Sequence, residues 1–289
     1  MDFSFEAPSH LEYFAALVHS DSEFPLFEAA ATLGTMRDPD LDVQGALSRM
    51  DQWLQRLRAR IPADAAAMAR LLALNRFFYQ ELGFAGNLND YYAPDNSYVH
   101  QVMESRRGIP ISLAVIWLEM AQSIGLDAKG VSFPGHFLIK VSLPAGQAVM
   151  DPMNGQSFSR EELREMLEPY RMRGKQGADF DVPLGLYLQA SPPREILARM
   201  LRNLKEIFRS QKHGDQWLAV QERLVVLTPE AWSEYRDRGL AHALLGHHDA
   251  ALADLECYVV NANDVVDAES ISSQVDLLRK QLGKRRESS

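Results

Sequence analysis

A single cysteine, Cys257, stands in a chain of 289 residues. No disulfide can close within the chain, which excludes a disulfide-stapled scaffold and fits a reducing, cytoplasmic setting. No apolar run approaches the ~20 residues a membrane helix requires, and the richest stretch, Ile109 to Ala121, is interrupted by Pro110 and Glu119. The opening MDFSFEAPSH carries acids where a secretory signal carries positive charge, so export is not expected. Positive charge is scarce too: thirty Lys and Arg oppose thirty-nine Asp and Glu, a net charge of -9. The deficit falls on residues 1–190, at -8, while residues 191–289 carry -1. Such a chain repels phosphate backbones, so no nucleic-acid partner is expected. No Walker loop or GxGxxG is present. His100 and Glu104 stand one helical turn apart without further ligands nearby, so neither a metal nor a cofactor is expected.

What is present is a chain of globular composition, 46% hydrophobic and 24% charged, long enough for two cooperating units. Residues 9–80 carry apolar stripes at helical spacing, such as Leu11, Phe14, Leu17 and Val18, punctuated by Pro25, Pro39 and Pro62. The stretch Gly83 to Ser97, GFAGNLNDYYAPDNS, has the chemistry of a long loop, and its aromatic residues favour an ordered one. A helix from about Tyr98 to Ser105 follows, and a second opens at Pro110, a proline suited to a first helical turn, and runs to Gly125. Three β-prone stretches, Ala128 to Phe133, His136 to Leu143 and Ala148 to Met150, are separated by Pro-Gly and Pro-Ala-Gly. They predict an antiparallel meander packed on the Pro110 helix. A helix with a capping box, Ser159 and Glu162, comes next, then an exposed connection over Arg171 to Pro183.

After Ser191-Pro192-Pro193 the texture becomes repetitive. Arg202 and Arg236, His213 and His247, Asp215 and Asp249, Leu218 and Leu252, and Ala219 and Ala253 are each 34 residues apart. A helix-turn-helix period of that length is the tetratricopeptide (TPR) signature. Two repeats leave apolar stacking faces open, so residues 268–283 should form a covering third helix or the unit should pack on the first domain. The basic Lys284-Arg285-Arg286 is given no role.

The segments GIPISLAVIWLEMAQSIGL, GHFLIKV and VMDPMNG place a helix, a strand entered by His136 and a strand leaving at Asp151 in succession. This order resembles the core of transglutaminase-like and papain-like enzymes. With GFAGNLNDYYAPDNSYVHQVMESRRG before it, the chain is similar to the bacterial SirB-type family over about residues 10–285. That family joins a transglutaminase-like domain to TPR repeats. The resemblance implies an α+β, mainly helical fold: a transglutaminase-like domain with a helical lobe and small antiparallel sheet over 1–190, then an all-α TPR-like unit over 191–289. It also implies a Cys-His-Asp triad, with His136 and Asp151 as its last two members. No cysteine stands near Pro110 to Ser112, and Ser112 is the available substitute. A serine hydroxyl, unlike a thiol, needs His136 as a true general base.

Asn87 or Asn96 could supply an oxyanion site. Arg106 and Arg107 could hold an anionic group beside a helix start, or pair with Asp90 and Asp95. Tyr91 and Asn154 complete the candidate binding set. Against catalysis, Ser112 reads first as a capping residue, and His136 with Asp151 as a brace between strands. The resulting expectation is a catalytically silent interaction or regulatory protein whose cleft takes a peptide or side chain and whose TPR helices take a protein partner. The alternative is a serine-based hydrolase or acyl transferase acting on an amide or ester through Ser112, His136 and Asp151.

Overall fold

The computed structural model describes residues 8–171, 183–262 and 267–287. In chain order its elements are α1 (His10–Leu17), α2 (Leu26–Thr32), α3 (Val43–Arg58), α4 (Ala67–Asn75), β1 (Ala85–Gly86), α5 (Val99–Ser105), β2 (Arg107–Gly108) and α6 (Pro110–Ser123). There follow β3 (Ala128–Val131), β4 (Leu138–Leu143), β5 (Gly146–Met150), α7 (Arg160–Arg171), α8 (Leu184–Tyr187) and α9 (Pro193–Ser210). The chain closes with α10 (Gly214–Leu227), α11 (Trp232–Leu244), α12 (His248–Asn261) and α13 (Ala268–Glu287). The connection expected at Arg171 to Pro183 lies almost entirely outside the described residues.

Two compact units form. One is Ser20–Met200; the other joins α1 to the chain from Leu201 onward. The division therefore falls inside α9, beyond the expected 190, and α1 does not belong with the helical lobe that follows it. The physical reason lies in Phe14, which is fully buried. Helix α1 packs on α10, and the Arg223 guanidinium sits 5.9 Å from the centre of the Phe14 ring.

Within the Ser20–Met200 unit, α6 is the central element. Its sequence is apolar all round, and such a helix is stable only where every face is covered. Pro110 through Trp117, with Met120 and Ala121, are buried. Helices α2, α3, α4 and α5 contact it, as do β3 and β4. The sheet has the order β3-β4-β5 and is antiparallel throughout, with Ala128 opposite Val141 and Ile139 opposite Met150. Leu138, Ile139 and Val141 are all buried, because both faces of β4 are covered. Val131, Phe133, Leu138 and Val149 form one apolar cluster with Leu163 and Leu167 of α7. The loop after α4 holds more structure than its composition suggests: β1 pairs in parallel with β2, Ala85 against Arg107 and Gly86 against Gly108. A π-turn over Arg76–Glu81 precedes it and brings Phe78 to stack on Phe84 at 4.4 Å.

In the other unit, every described element beyond α9 is helical. The 34-residue repeat maps onto equivalent places: His213 and His247 stand immediately before α10 and α12, and Asp215 and Asp249 lie in the first turns. Helix α13 covers the open end, as Ile271, Val275 and Leu278 bury against Ala251, Leu255 and Tyr258. Gly239 lets α11 approach α12, since a Cβ there would lie 2.8 Å from the Leu255 side chain and 3.2 Å from the Ala251 carbonyl. Gly239→Ala is expected to destabilise this unit by about 1–2 kcal/mol, overpacking outweighing the helix-propensity gain. A thermal melt checks this; an unchanged or higher Tm would show that the helices can separate at no cost.

Candidate functional site

The start of α6 decides the fate of Ser112. Pro110 opens the helix, and Ser112 stands in its first turn with no solvent exposure. Its Oγ accepts from the Ile109 N–H at 3.2 Å. The hydroxyl has one proton to donate, shared between the carbonyls of Asn96 at 2.6 Å and Ile109 at 3.0 Å. A Cβ on Gly108 would meet Ser112 Oγ at 2.8 Å, so backbone closes on the hydroxyl from that side as well. Among the described residues, His136 is not a hydrogen-bond partner of Ser112. The hydroxyl is drawn into the turn that joins the 83–97 loop to α6.

His136 and Asp151 do meet. His136 ends the turn after β3, whose tightness rests on Gly135 at φ 70°, and Asp151 follows β5 directly. The β4–β5 pairing brings the two to 3.3 Å, Nε2 to Oδ1, with side chains only 17% and 15% exposed. The same Oδ1 accepts from the Met153 N–H at 2.8 Å, which anchors the carboxylate to its own turn. Such a pair can fix an imidazole tautomer and its orientation. Catalysis also requires a nucleophile within reach of the imidazole.

The other candidate residues divide by role. Asn87 Nδ2 donates to Asn96 Oδ1 at 2.9 Å, and Asn87 Oδ1 accepts from the Asp90 N–H. Asn96 Nδ2 donates to the carbonyls of Asp90 and Tyr91. Both amides therefore tie the loop to itself. The loop so fixed presents Tyr91 40% exposed, close enough to Asp151 and Arg199 for their charges to act on its hydroxyl, whose pKa is raised chiefly by burial. Arg106 takes the left-handed conformation that ends α5, φ 61°, and lays its guanidinium over Trp53 at 4.5 Å and Phe84 at 5.1 Å. Arg107 donates to the Gly83 carbonyl at 2.8 Å. Neither arginine pairs with Asp90 or Asp95; Asp95 pairs with Arg37. Asn154 shapes the turn after Asp151, its Oδ1 accepting from the Gln156 N–H at 2.8 Å.

Three residues that sequence reasoning passed over complete the surroundings of His136. Arg199 of α9 donates to the His136 carbonyl at 2.8 Å and lies over the Phe137 ring at 5.6 Å. The Tyr170 hydroxyl occupies the space a Cβ on Gly135 would need. Tyr79 donates to the Pro152 carbonyl at 3.1 Å, and burial with the nearby Asp151 charge pushes its pKa well up, so it stays a neutral donor. Only Gly135, in a Pro-Gly turn beside His136, signalled a close approach in the sequence.

Away from this site, a groove of about 970 Å³ is lined by Phe24, Met50, Val115 and Ile196, with Glu28, Asp51, Glu119 and Asp127 around it. Burial first, then the charge of Asp51 and more weakly that of Glu28, holds the Glu119 carboxyl above its ordinary pKa, while Arg58 offsets part of this. A carboxyl raised on folding weakens the fold as pH rises from its unfolded value, about 4.3, through the folded one. Glu119→Gln is therefore expected to raise Tm at neutral pH, with the gain vanishing under acid conditions. Equal melting of both proteins at neutral pH would contradict it. Among the described residues, no group of three His, Cys, Asp or Glu is placed to hold a metal ion, and no helix is long and apolar enough to cross a membrane.

The helix-strand-strand core and the helical repeats define a mainly helical protein with a transglutaminase-like domain followed by TPR helices. The description of the transglutaminase-like superfamily fits residues 44–202, and that of the tetratricopeptide repeat fits residues 204–276. The chain belongs to the transglutaminase-like superfamily and, more narrowly, to the UPF0162 family. It is 39% identical over 240 residues to a UPF0162 protein of Xylella fastidiosa, covering 83% of this chain and 84% of that one. A UPF0162 protein of Vibrio cholerae is 27% identical over 258 residues, covering 88% and 92%. The UPF0162 protein YchA of Escherichia coli is 26% identical over 242 residues, covering 82% and 86%. Among solved structures, the crystal structure of menin, described with its binding site for the Mixed Lineage Leukemia protein, aligns at a TM-score of 0.40 and 10% identity, covering 91% of this chain and 72% of that one.

Proposed function

We propose that this protein is a SirB-type interaction or regulatory protein of the cytoplasm, catalytically silent, with no nucleic-acid partner. Its transglutaminase-like cleft binds a peptide or side chain, and its TPR helices bind a protein partner. One observation carries the silent reading: the hydroxyl in the nucleophile's place, Ser112 Oγ, is fully buried and bonded to backbone. A general base cannot activate a hydroxyl it does not reach. The peptide reading is supported by the apolar groups near His136 and Asp151. Tyr91 is 40% and Tyr170 42% exposed, and the Tyr91 loop also displays Leu88 and Tyr92, 81% and 78% exposed. Exposed aromatic side chains of this kind are enriched where one protein binds another. Helices α11, α12 and α13 present Leu244, Val260 and Leu277 outward, which suits a second partner.

The test uses Ser112→Cys in a Cys257→Ala background. The thiol is expected to label slowly with iodoacetamide and to be indifferent to His136→Ala, because it is enclosed by the Asn96–Ile109 backbone. Rapid labelling that rises with a depressed thiol pKa and falls in His136→Ala would instead support the serine-based hydrolase or acyl transferase. No turnover is expected on simple ester or glutamine-amide substrates.

A further inference from the structure

Arg199 is placed beside the His136–Asp151 pair in a way its structural duties do not exhaust. A guanidinium has five N–H donors in a planar fork. Arg199 uses Nη2 on the His136 carbonyl at 2.8 Å and reaches the Phe133 carbonyl with Nη1 at 3.5 Å. Its remaining described neighbours are rings: Phe137 under the guanidinium, and Tyr91 and Tyr170, whose hydroxyls sense its charge. Among the described residues, no carboxylate pairs with it. The nearest acid of the site, Asp151, is held by His136 and the Met153 N–H. Elsewhere in this acidic protein, partly buried arginines such as Arg236 and Arg238 bind aspartates directly. A half-buried cation that faces only neutral groups among the described residues bears a desolvation cost that an incoming anion would relieve. Burial does lower the Arg199 pKa from its ordinary value.

We propose that Arg199, with the hydroxyls of Tyr91 and Tyr170, forms a carboxylate-binding subsite at the edge of the His136–Asp151 cleft. Its ligand is a peptide bearing a carboxylate next to an apolar side chain. The guanidinium takes the carboxylate through charge-assisted hydrogen bonds, and the two tyrosine rings take the apolar neighbour. The proposal rests on the peptide-binding reading of the cleft and specifies its chemistry.

The test titrates the full chain with three unlabelled peptides, acetyl-Gly-Leu-Phe, its C-terminal amide, and acetyl-Gly-Glu-Phe amide, following the His136 ring and Arg199 Nε–H resonances by NMR. Acetyl-Gly-Leu-Phe or the glutamate peptide is expected to bind at least about tenfold more tightly than the uncharged amide. The stronger of the two charged peptides tells a chain terminus from an acidic side chain. Arg199→Met should erase that preference, so that the acid and amide peptides bind the variant alike. The wild-type comparison of acid and amide needs no variant and stands if Arg199→Met misfolds. Equal binding of all three peptides to the wild type overturns the subsite and leaves peptide binding standing. Binding of none overturns both.

Discussion

Lys205→Met is expected to destabilise the C-terminal unit by about 3–5 kcal/mol, the usual cost of removing one partner from a buried ion pair. Lys205 is 9% exposed in its side chain and binds two acids, Glu234 and Asp237, each 4% exposed. Its Nζ lies 2.7 Å from Glu234 Oε2. Arg202 reaches the other Glu234 oxygen at 3.0 Å, and Arg236 holds Asp237 at 2.7 Å. The methionine fills the volume of the lysine stem, so the loss reports charge and not a cavity. Two carboxylates would remain buried beside the more exposed arginines and the neutral Gln221 amide, 3.4 Å from Glu234 Oε2. Adding Glu234→Gln to the variant is expected to restore part of the stability, because it removes one of the stranded charges. Hydrogen exchange supplies the readout: protection should fall across α10 and α11. Protection unchanged in both helices would mean that Arg202 and Arg236 suffice.

Trp117→Ala is expected to cost the other unit about 3–5 kcal/mol, in the range of large aromatic deletions from a core. Trp117 is fully buried at the middle of α6, and its Nε1 donates to Asn75 Oδ1 at 3.0 Å. The deletion leaves a void beside the central helix and strips the Asn75 carbonyl of a partner, each unfavourable by its own mechanism. Since α6 contacts both β3 and β4, loosening should spread to the sheet that brings His136 to Asp151. The measurements are a denaturant titration and hydrogen exchange over β3 to β5. A loss below about 1 kcal/mol would mean that the neighbouring helices collapse into the space.

Much of this architecture was legible because it is local. A helix apolar on every side has to be buried, and Pro110 marks its first turn. Period-2 stretches divided by Pro-Gly and Pro-Ala-Gly have to turn back on one another, and the meander they form sets His136 beside Asp151 without help from distant chain. The 34-residue offset that pairs His213 with His247 encodes two helix starts in equivalent places, since a repeat imposes the same short-range geometry twice. The covering role of 268–283 followed from the same reasoning, because two stacked helix pairs leave an apolar face open.

What only the tertiary structure decided depends on partners far along the chain. Ser112 reads alike as a nucleophile and as a capping residue; the Asn96 carbonyl, supplied by the folded 83–97 loop, draws its hydroxyl inward. Arg106 reads as an anion ligand or, more readily, as a partner of nearby acids, and only the fold shows that α3 places Trp53 beneath it. Arg199 carries no local mark at all, being one arginine on an amphipathic helix, and reaches His136 only because α9 returns to the β3–β4 turn. Helix α1 reads as the first helix of the lobe that follows it, yet Phe14 buries against α10. Periodicity and turn chemistry are short-range and survive in the sequence; the direction a polar side chain takes depends on which backbone or ring arrives beside it.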